Sequence, residues 1–225
     1  MENVLGDGIG FVKLVDSMGN DLSIVRSARV SYGKTSEEFS DRDKKLIKYL
    51  IKNSHTSPLE SVTFTFNIKC PLFIARQWMR HRTWSYNEIS RRYTSENIEF
   101  YIPKEFRIQS LDNKQMSSGE TISKEIAYEI EDTIKMFCED SIQIYDMMIE
   151  SGISREMARG ILPQYMYTNF YGTVNLHNLL HFLKLRRHLH AQEEIRRYAF
   201  AIENIIKEVV PFTYQAWQEK IGKEE

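Results

Sequence analysis

The densest group of chemically capable side chains lies between Gln77 and Tyr93, in the order Gln-Trp-Met-Arg-His-Arg-Thr-Trp-Ser-Tyr-Asn-Glu-Ile-Ser-Arg-Arg-Tyr. Four arginines and one histidine fall within thirteen of these positions. A guanidinium group offers a planar fork of N–H donors that matches phosphate oxygens, and it also stacks on flat rings. The segment therefore favours a site for a phosphorylated or planar ligand. On composition alone, a solvated basic turn paired with the protein's own carboxylates is an open alternative.

Arg186 is a second candidate because of its place on a predicted helix. It follows Phe182 by four residues and Leu183 by three, so it points beside the apolar stripe of that helix. A buried guanidinium needs an anionic or carbonyl partner, since an unpaired buried charge is strongly unfavourable. The partner is either a ligand or one of the nearby carboxylates, Glu193 and Glu194.

The two cysteines, Cys70 and Cys138, show no paired spacing, which favours a reducing compartment. Cys70 ends an apolar alternating segment, and Cys138 lies beside the apolar stripe of a long predicted helix. A nucleophilic thiol needs polar, electropositive surroundings. Both cysteines are therefore predicted to be structural.

His177 and His181 are four residues apart, a spacing that can place two imidazoles on one metal ion. No carboxylate or cysteine lies close in sequence to complete such a site. We therefore expect no metal, and a histidine–metal hydrolase is the weaker alternative.

The whole-chain composition narrows the class of protein. The 225 residues carry a formal net charge of −1, with 42% hydrophobic and 12% aromatic residues. A general polyanion binder would be strongly basic, so nucleic acid is not expected as the partner. Residues 161–183 contain no charged side chain but are too polar to span a bilayer, and the first seven residues do not resemble a signal peptide. We expect no membrane association and a cytoplasmic protein (in the host cytoplasm if the gene is viral).

The elements that must position these residues follow from periodicity. Alternation over residues 62–69 predicts a strand, and Pro71 fits the start of a helix over residues 72–80 that leads into the arginine-rich segment. Further predicted strands cover residues 10–15 and 165–174, and further helices cover residues 21–32, 40–53, 122–151, 154–162, 175–187, 191–208 and the stretch after Pro211. Apolar residues at helical spacing in the 122–151 helix are taken as a core stripe, and residues 111–119 as a mobile loop. The fold class is therefore α+β, a small mostly antiparallel sheet packed with long helices in a single domain over residues 1–225.

The order of residues in the arginine-rich segment resembles that of the flavin-dependent thymidylate synthases. The family motif, Arg-His-Arg followed by seven residues and Ser, is matched by Arg80-His81-Arg82 and Ser90. The fuller family pattern is matched at Ser85, Asn87, Glu88, Arg92 and Tyr93. Other segments between about residues 10 and 217 also look like family segments, among them Val30-Ser31, Arg155-Glu156-x-Ala158-Arg159 and His190-Ala191-Gln192.

The resemblance implies methylation of dUMP to dTMP without an enzyme cysteine nucleophile. The carbon would come from 5,10-methylenetetrahydrofolate and the hydride from FAD reduced by NADPH. It also implies a homotetramer whose active sites combine residues of several subunits. Arg186 would be the catalytic residue, activating the pyrimidine.

The resemblance also implies two sets of binding residues. Those implied for dUMP are Gln77, Trp78, Met79, Arg80, Glu88, Ile89, Ser90, Arg91, Arg92, Arg159 and Arg186. Those implied for FAD are Ser57, Arg80, His81, Arg82, Glu88, Asn175, Leu176, His177 and His181. The sequence departs from common family forms at two of these positions, because His177 stands where Arg is frequent and Arg91 where a small residue is frequent. Arg91 is expected to reach solvent or another subunit.

Overall fold

The main sheet has four antiparallel strands, in the spatial order β1, β2, β6, β3. In the computed structural model, which describes residues 2–222, these strands are β1 (Phe11–Met18), β2 (Thr63–Pro71), β3 (Ser85–Glu88) and β6 (Tyr167–Asn175). A separate hairpin is formed by β4 (Arg107–Gln109) and β5 (Ser117–Thr121). The helices are α1 (Asp21–Val30), α2 (Asp41–Lys52), α3 (Leu72–Trp78), α4 (Lys124–Glu150), α5 (Arg155–Ala158), α6 (Leu176–Arg186), α7 (Glu193–Val209) and α8 (Pro211–Ile221), with 3-10 turns at Ser57–Ser61 and Arg159–Ile161. The predicted α+β class is confirmed.

Strand β2 is central because its alternating side chains build the core. Phe64, Phe66 and Ile68 are fully buried, and the intervening residues are only partly covered. Burying each large apolar side chain contributes roughly 1.5–3 kcal/mol. Strand β6 pairs along the whole length of β2. The sheet is thereby fixed in register under α3 and α6, the two helices that carry most of the predicted site.

An aromatic cluster lies where these helices meet the sheet. The indole of Trp78, fully buried at the end of α3, stacks on Phe182 of α6 with ring centroids 4.8 Å apart. Trp84 packs edge-on against Trp78 and lies over Gly172 of β6. A Cβ atom at position 172 would stand 3.1 Å from Cε3 of that indole, so the glycine gives the ring its room.

Helix boundaries agree with the capping signals in the sequence. Ser40 and Asp43 form a reciprocal capping box at the start of α2. The side chain of Asn175 accepts a hydrogen bond from the backbone N–H of Asn178 over 3.0 Å, so Asn175 is the N-cap of α6. Helix α3 ends at Trp78, two residues earlier than predicted.

Two short strands were not predicted from the sequence. The arginine-rich segment contains strand β3, whose polar residues Ser-Tyr-Asn-Glu give no alternating signal. The stretch taken as a loop over residues 111–119 ends in β5 and closes a hairpin. Both elements are polar strands that take their conformation from backbone pairing with a neighbour.

The apolar residues of α4 are not a core stripe, which corrects the prediction. Ile126, Phe137 and Met147 are 51%, 55% and 58% exposed. The buried residues of this helix are Cys138, Ser141 and Tyr145. Periodicity shows that one side of a helix is apolar but not what covers that side. No helix within residues 2–222 is long and apolar enough to cross a membrane.

Candidate active site

Arg186 ends α6 and is held by acceptors of the arginine-rich segment. Its Nε donates to Nε2 of His81 over 3.0 Å, and its Nη2 donates to the backbone carbonyl of Gln77 over 3.1 Å. Glu193 and Glu194, the alternative partners left open by the sequence, instead bind Arg107. Arg186 therefore makes no salt bridge to Glu193 or Glu194.

His81 is a neutral acceptor in this arrangement. The residue is 8% exposed, and its ring meets Phe182 edge-on, with ring centroids 4.9 Å apart. Burial, and then the charges of Arg186 and His181, lower the pKa of His81 from 6.5 to about 4. At neutral pH the ring is uncharged, which leaves Nε2 free to accept the Arg186 N–H.

The positive charge around Arg186 is not neutralised by carboxylates. Burial lowers the pKa of Arg186 from its usual value, and the charge of Arg80 lowers it further. Within the described part of the chain, no carboxylate lies within ion-pair distance of Arg80, Arg82 or Arg186. Such a group of guanidinium groups can bind an anion, or a ligand on which negative charge develops.

Gln77 is oriented by a residue absent from the predicted set. Its Nε2 donates to Oε1 of Gln192 over 2.6 Å, and more weakly to the carbonyl of Phe73 at 3.5 Å. Both amide hydrogens are thereby used within the chain, so Oε1 of Gln77 is left as an acceptor for a ligand. The sequence signal for Gln192 was its place in the His190-Ala191-Gln192 segment. Gln192 also lines a cavity of about 980 Å³ between α3, the start of α7 and the β4–β5 hairpin.

Glu88, Ser90 and Arg92 form a second group at the edge strand β3 and the turn that follows. Glu88 accepts a hydrogen bond from the hydroxyl of Thr168 over 2.5 Å, and Oγ of Ser90 accepts one from the backbone N–H of Arg92 over 3.3 Å. Arg92 lies 3.8 Å from the carboxylate of Glu156 on α5 and lines a cleft of about 220 Å³.

This second group is separate from the Arg186 group. Arg159 is exposed on the 3-10 turn that follows α5, and Ile89 is 40% exposed. Within residues 2–222, no hydrogen bond or ion pair joins Glu88, Ser90 or Arg92 directly to Arg186.

A third group surrounds the start of α6. Asn175 caps the helix, His177 is half-buried, and Ser57 is exposed at the start of the neighbouring 3-10 turn. His181 lies one turn further along α6, with its ring centroid 6.3 Å from that of His81. Among residues 2–222, no group of three or more His, Cys, Asp or Glu side chains is arranged to hold a metal ion.

Besides His81, three of the predicted binding side chains face inward. Trp78 and Leu176 are fully buried, so only their backbone could contact a ligand. Arg91 is 7% exposed and donates to the carbonyls of Glu96 and Asn97. The expectation that Arg91 reaches solvent or another subunit is therefore wrong. Its guanidinium instead ties the turn after β3 to the chain that follows it.

Comparison with known proteins shows the family to which the chain belongs. Residues 13–212 match the family described as thymidylate synthase complementing protein. The flavin-dependent thymidylate synthase of Thermus thermophilus is 48% identical over 212 residues, which cover 94% of this chain and 77% of the relative. The chain belongs to the flavin-dependent thymidylate synthase family. The family member from Thermosipho africanus is 45% identical over 208 residues, which cover 92% of this chain and 90% of that relative.

A solved structure agrees with the fold expected for a flavin-dependent thymidylate synthase. The UMP/dUMP methylase PolB from Streptomyces cacaoi, solved with bound 5-Br dUMP, has a TM-score of 0.85 and 34% identity. The match covers 93% of this chain and 95% of that one.

The environment of the cysteines fits a flavin-dependent rather than a thiol-based chemistry. Cys70 is completely buried, and its burial raises its pKa well above the usual value. Burial likewise raises the pKa of Cys138 to about 11. Neither thiol is exposed or readily ionised, so the prediction that both are structural agrees with the structure.

Proposed function

We propose that this protein methylates C5 of dUMP to give dTMP, with a bound flavin as the reductant. The observation that carries the proposal is the pair Arg80 and Arg186, which has no carboxylate partner among residues 2–222, with Arg186 held by the neutral His81. A pyrimidine monophosphate brings both a dianion and carbonyl oxygens to such a site. The finer assignments below are part of the proposal.

In this proposal Arg186 activates the pyrimidine ring. Its donated N–H groups would stabilise negative charge on a uracil carbonyl and N3, which makes C5 nucleophilic. Half-burial strengthens this interaction because less water competes for the guanidinium. The free Oε1 of Gln77 would accept a hydrogen bond from the same nucleotide.

The phosphate would be held by the second group. Ser90 and Arg92 offer a hydroxyl and a guanidinium at the edge of the sheet, and Arg159 adds an exposed guanidinium from the turn after α5. Because this group does not contact Arg186 within one chain, we propose that each active site combines residues of different subunits. The exposed apolar side of α4 supports a homotetramer, since residues 2–222 of one chain do not bury it and another subunit would.

The donor set fits FAD. Arg80 and Arg82 are exposed guanidinium groups with no internal carboxylate partner among residues 2–222, as a pyrophosphate requires. The capped N-terminus of α6, with His177 beside it, adds backbone N–H donors. When bound and reduced, the flavin supplies the hydride. We propose NADPH as its reductant and 5,10-methylenetetrahydrofolate as the carbon source.

The test is formation of dTMP by the purified protein. We expect turnover only when dUMP, methylenetetrahydrofolate and NADPH are all present, and a yellow protein with the absorption of oxidised flavin. Formation of dTMP without a reductant would contradict the proposal, as would loss of activity on metal chelation. Tight, salt-sensitive binding of oligonucleotides would instead favour the nucleic-acid alternative.

A further inference from the structure

Arg186 uses one edge of its guanidinium to donate hydrogen bonds within the protein. The Nε–H and the adjacent N–H of Nη2 point to the same side of the planar group, and their acceptors are His81 and the carbonyl of Gln77. The other edge, formed by Nη1 and the second hydrogen of Nη2, has no acceptor among residues 2–222. Arg186 therefore presents a fork of two parallel donors to a ligand.

The acceptor that fixes this fork is itself fixed by the core. The ring of His81 meets Phe182 at 4.9 Å between centroids, and Phe182 in turn stacks on Trp78 at 4.8 Å. Both core side chains are fully buried. In addition, Tyr86 donates a hydrogen bond to the backbone carbonyl of His81 over 3.0 Å. His81 is thus positioned without any ligand.

We propose that His81 is a positioning residue for pyrimidine activation, accepting the Nε–H of Arg186 and turning the free fork of its guanidinium toward the pyrimidine carbonyl edge. This inference rests on the proposed function. It assigns His81 a role that acts through Arg186, whereas the family resemblance implied only contact with the flavin. The neutral state of the ring is required, because an imidazolium would have no lone pair for the Arg186 N–H.

The test compares His81→Gln and His81→Leu, each in the native chain and in an Arg186→Lys background. Gln can place Oε1 close to the position of Nε2 and keeps an acceptor, whereas Leu removes it. We expect His81→Leu to lower kcat by about 10²-fold, as for other misplaced catalytic groups, with KM for dUMP changed far less. His81→Gln should recover most of the loss. Because a lysine side chain has no Nε–H of this kind, His81→Leu should cost little more in the Arg186→Lys background.

Two results would overturn the inference. One is a loss on His81→Leu that is as large in the Arg186→Lys background as in the native chain, since a purely structural or flavin-binding role would give that result. The other is a His81→Gln variant as impaired as His81→Leu. Flavin absorbance measured in every variant separates direct loss of the cofactor from loss of positioning. His188→Leu, which changes an exposed histidine just beyond α6, is the matched control and should leave kcat unchanged.

A measurement independent of turnover tests the same hydrogen bond. Nitrogen-15 NMR of the flavin-loaded protein should show His81 neutral at pH 7, with its proton on Nδ1 and with Nε2 shifted by Arg186→Lys. A proton on Nε2 would overturn the inference even in a protein that makes dTMP. A wild-type protein that makes no dTMP would count against the proposed function, and the NMR experiment would still decide the hydrogen bond.

Discussion

Arg187 places its Nε 2.8 Å from Oε2 of Glu203, a carboxylate whose side chain is only 4% exposed. The Arg187 guanidinium also lies over the rings of Phe200 and Trp217, at 5.7 and 5.5 Å from their centroids. Arg187 is thereby held against α7 and α8, while the neighbouring Arg186 contacts His81 of the arginine-rich segment. The last residue of α6 and the residue after it thus contact different elements of the fold.

Arg187→Met should destabilise the protein, because it leaves Glu203 buried with fewer partners. We expect the free energy of unfolding to fall by about 2–4 kcal/mol, toward the range for breaking a buried ion pair. Urea denaturation measures the change. Arg197→Met, which removes a more exposed arginine paired with Glu193, is the control and should change stability by at most about 1 kcal/mol. Equal effects of the two substitutions would contradict the burial argument.

His81 should make stability depend on pH. The pKa of His81 is lower in the folded chain than in the unfolded chain, so between these two pKa values the unfolded chain binds more protons. The free energy of unfolding therefore falls as the pH drops from 6.5 toward about 4. Between pH 7.5 and 5 this contributes a loss of about 2 kcal/mol. His81→Gln should remove that contribution, which is the difference between the two unfolding profiles. Parallel profiles would show that the histidine is not buried in its neutral form.

Arg186→Ala should abolish most turnover without loss of the flavin. Removing a charge-stabilising donor lowers kcat by about 10²–10³-fold in comparable sites. Steady-state kinetics and flavin absorbance measure the two effects. Arg42→Ala, an exposed arginine on α2, is the control for loss of a positive charge. Near-normal turnover of Arg186→Ala would exclude the catalytic assignment.

Gln192→Leu should weaken dUMP binding through Gln77. Without the Gln192 acceptor, the Gln77 amide can rotate and no longer keeps its oxygen toward the nucleotide. One hydrogen bond is worth about 0.5–1.5 kcal/mol, so we expect the Kd for dUMP, measured by calorimetry, to rise by up to about tenfold. Gln164→Leu lies in the same cavity wall without bonding Gln77 and should bind dUMP normally. An unchanged Kd in Gln192→Leu would show that the Gln77 orientation does not matter.

Phe137→Asp should shift the protein to smaller species. This side chain is 55% exposed on the apolar side of α4, and a carboxylate buried between subunits would be strongly unfavourable. Light scattering after gel filtration measures the mass. Glu139→Gln, an exposed neighbour on the same helix, should leave the assembly intact. If the wild-type protein runs as a monomer, the proposal of shared active sites is wrong.

The sequence predicted those elements whose periodicity and caps are local. Strand β2 and helix α2 were found because alternation and the cap at Ser40 act within a few residues. Strand β3 was missed because its conformation depends on pairing with β6, more than eighty residues away in the chain. The α4 stripe was misassigned because a helix for the core and a helix for a protein interface have the same apolar periodicity.

The sequence predicted which residues form the candidate site but not the hydrogen bonds between them. The motif identified Arg80 and His81, and the helix spacing with the family resemblance identified Arg186, yet nothing in the sequence showed that His81 accepts from Arg186 across 105 residues. Gln192 was missed for the same reason, since an amide side chain has no sequence signal for its partner. Such contacts depend on how α3, α6 and α7 pack together.

The position of Gly172 in β6 does not tolerate a larger side chain, and a substitution there would also affect residues outside β6. The space above this glycine is filled by the Trp84 indole, which immediately precedes β3. A larger residue would push the ring and shift the edge strand that carries Glu88, which is held in the sheet by its pairing with β6. A saturation library at position 172 would therefore be depleted of active clones even though the glycine contacts no proposed ligand. The inactive variants would have lower affinity for the nucleotide as well as impaired folding.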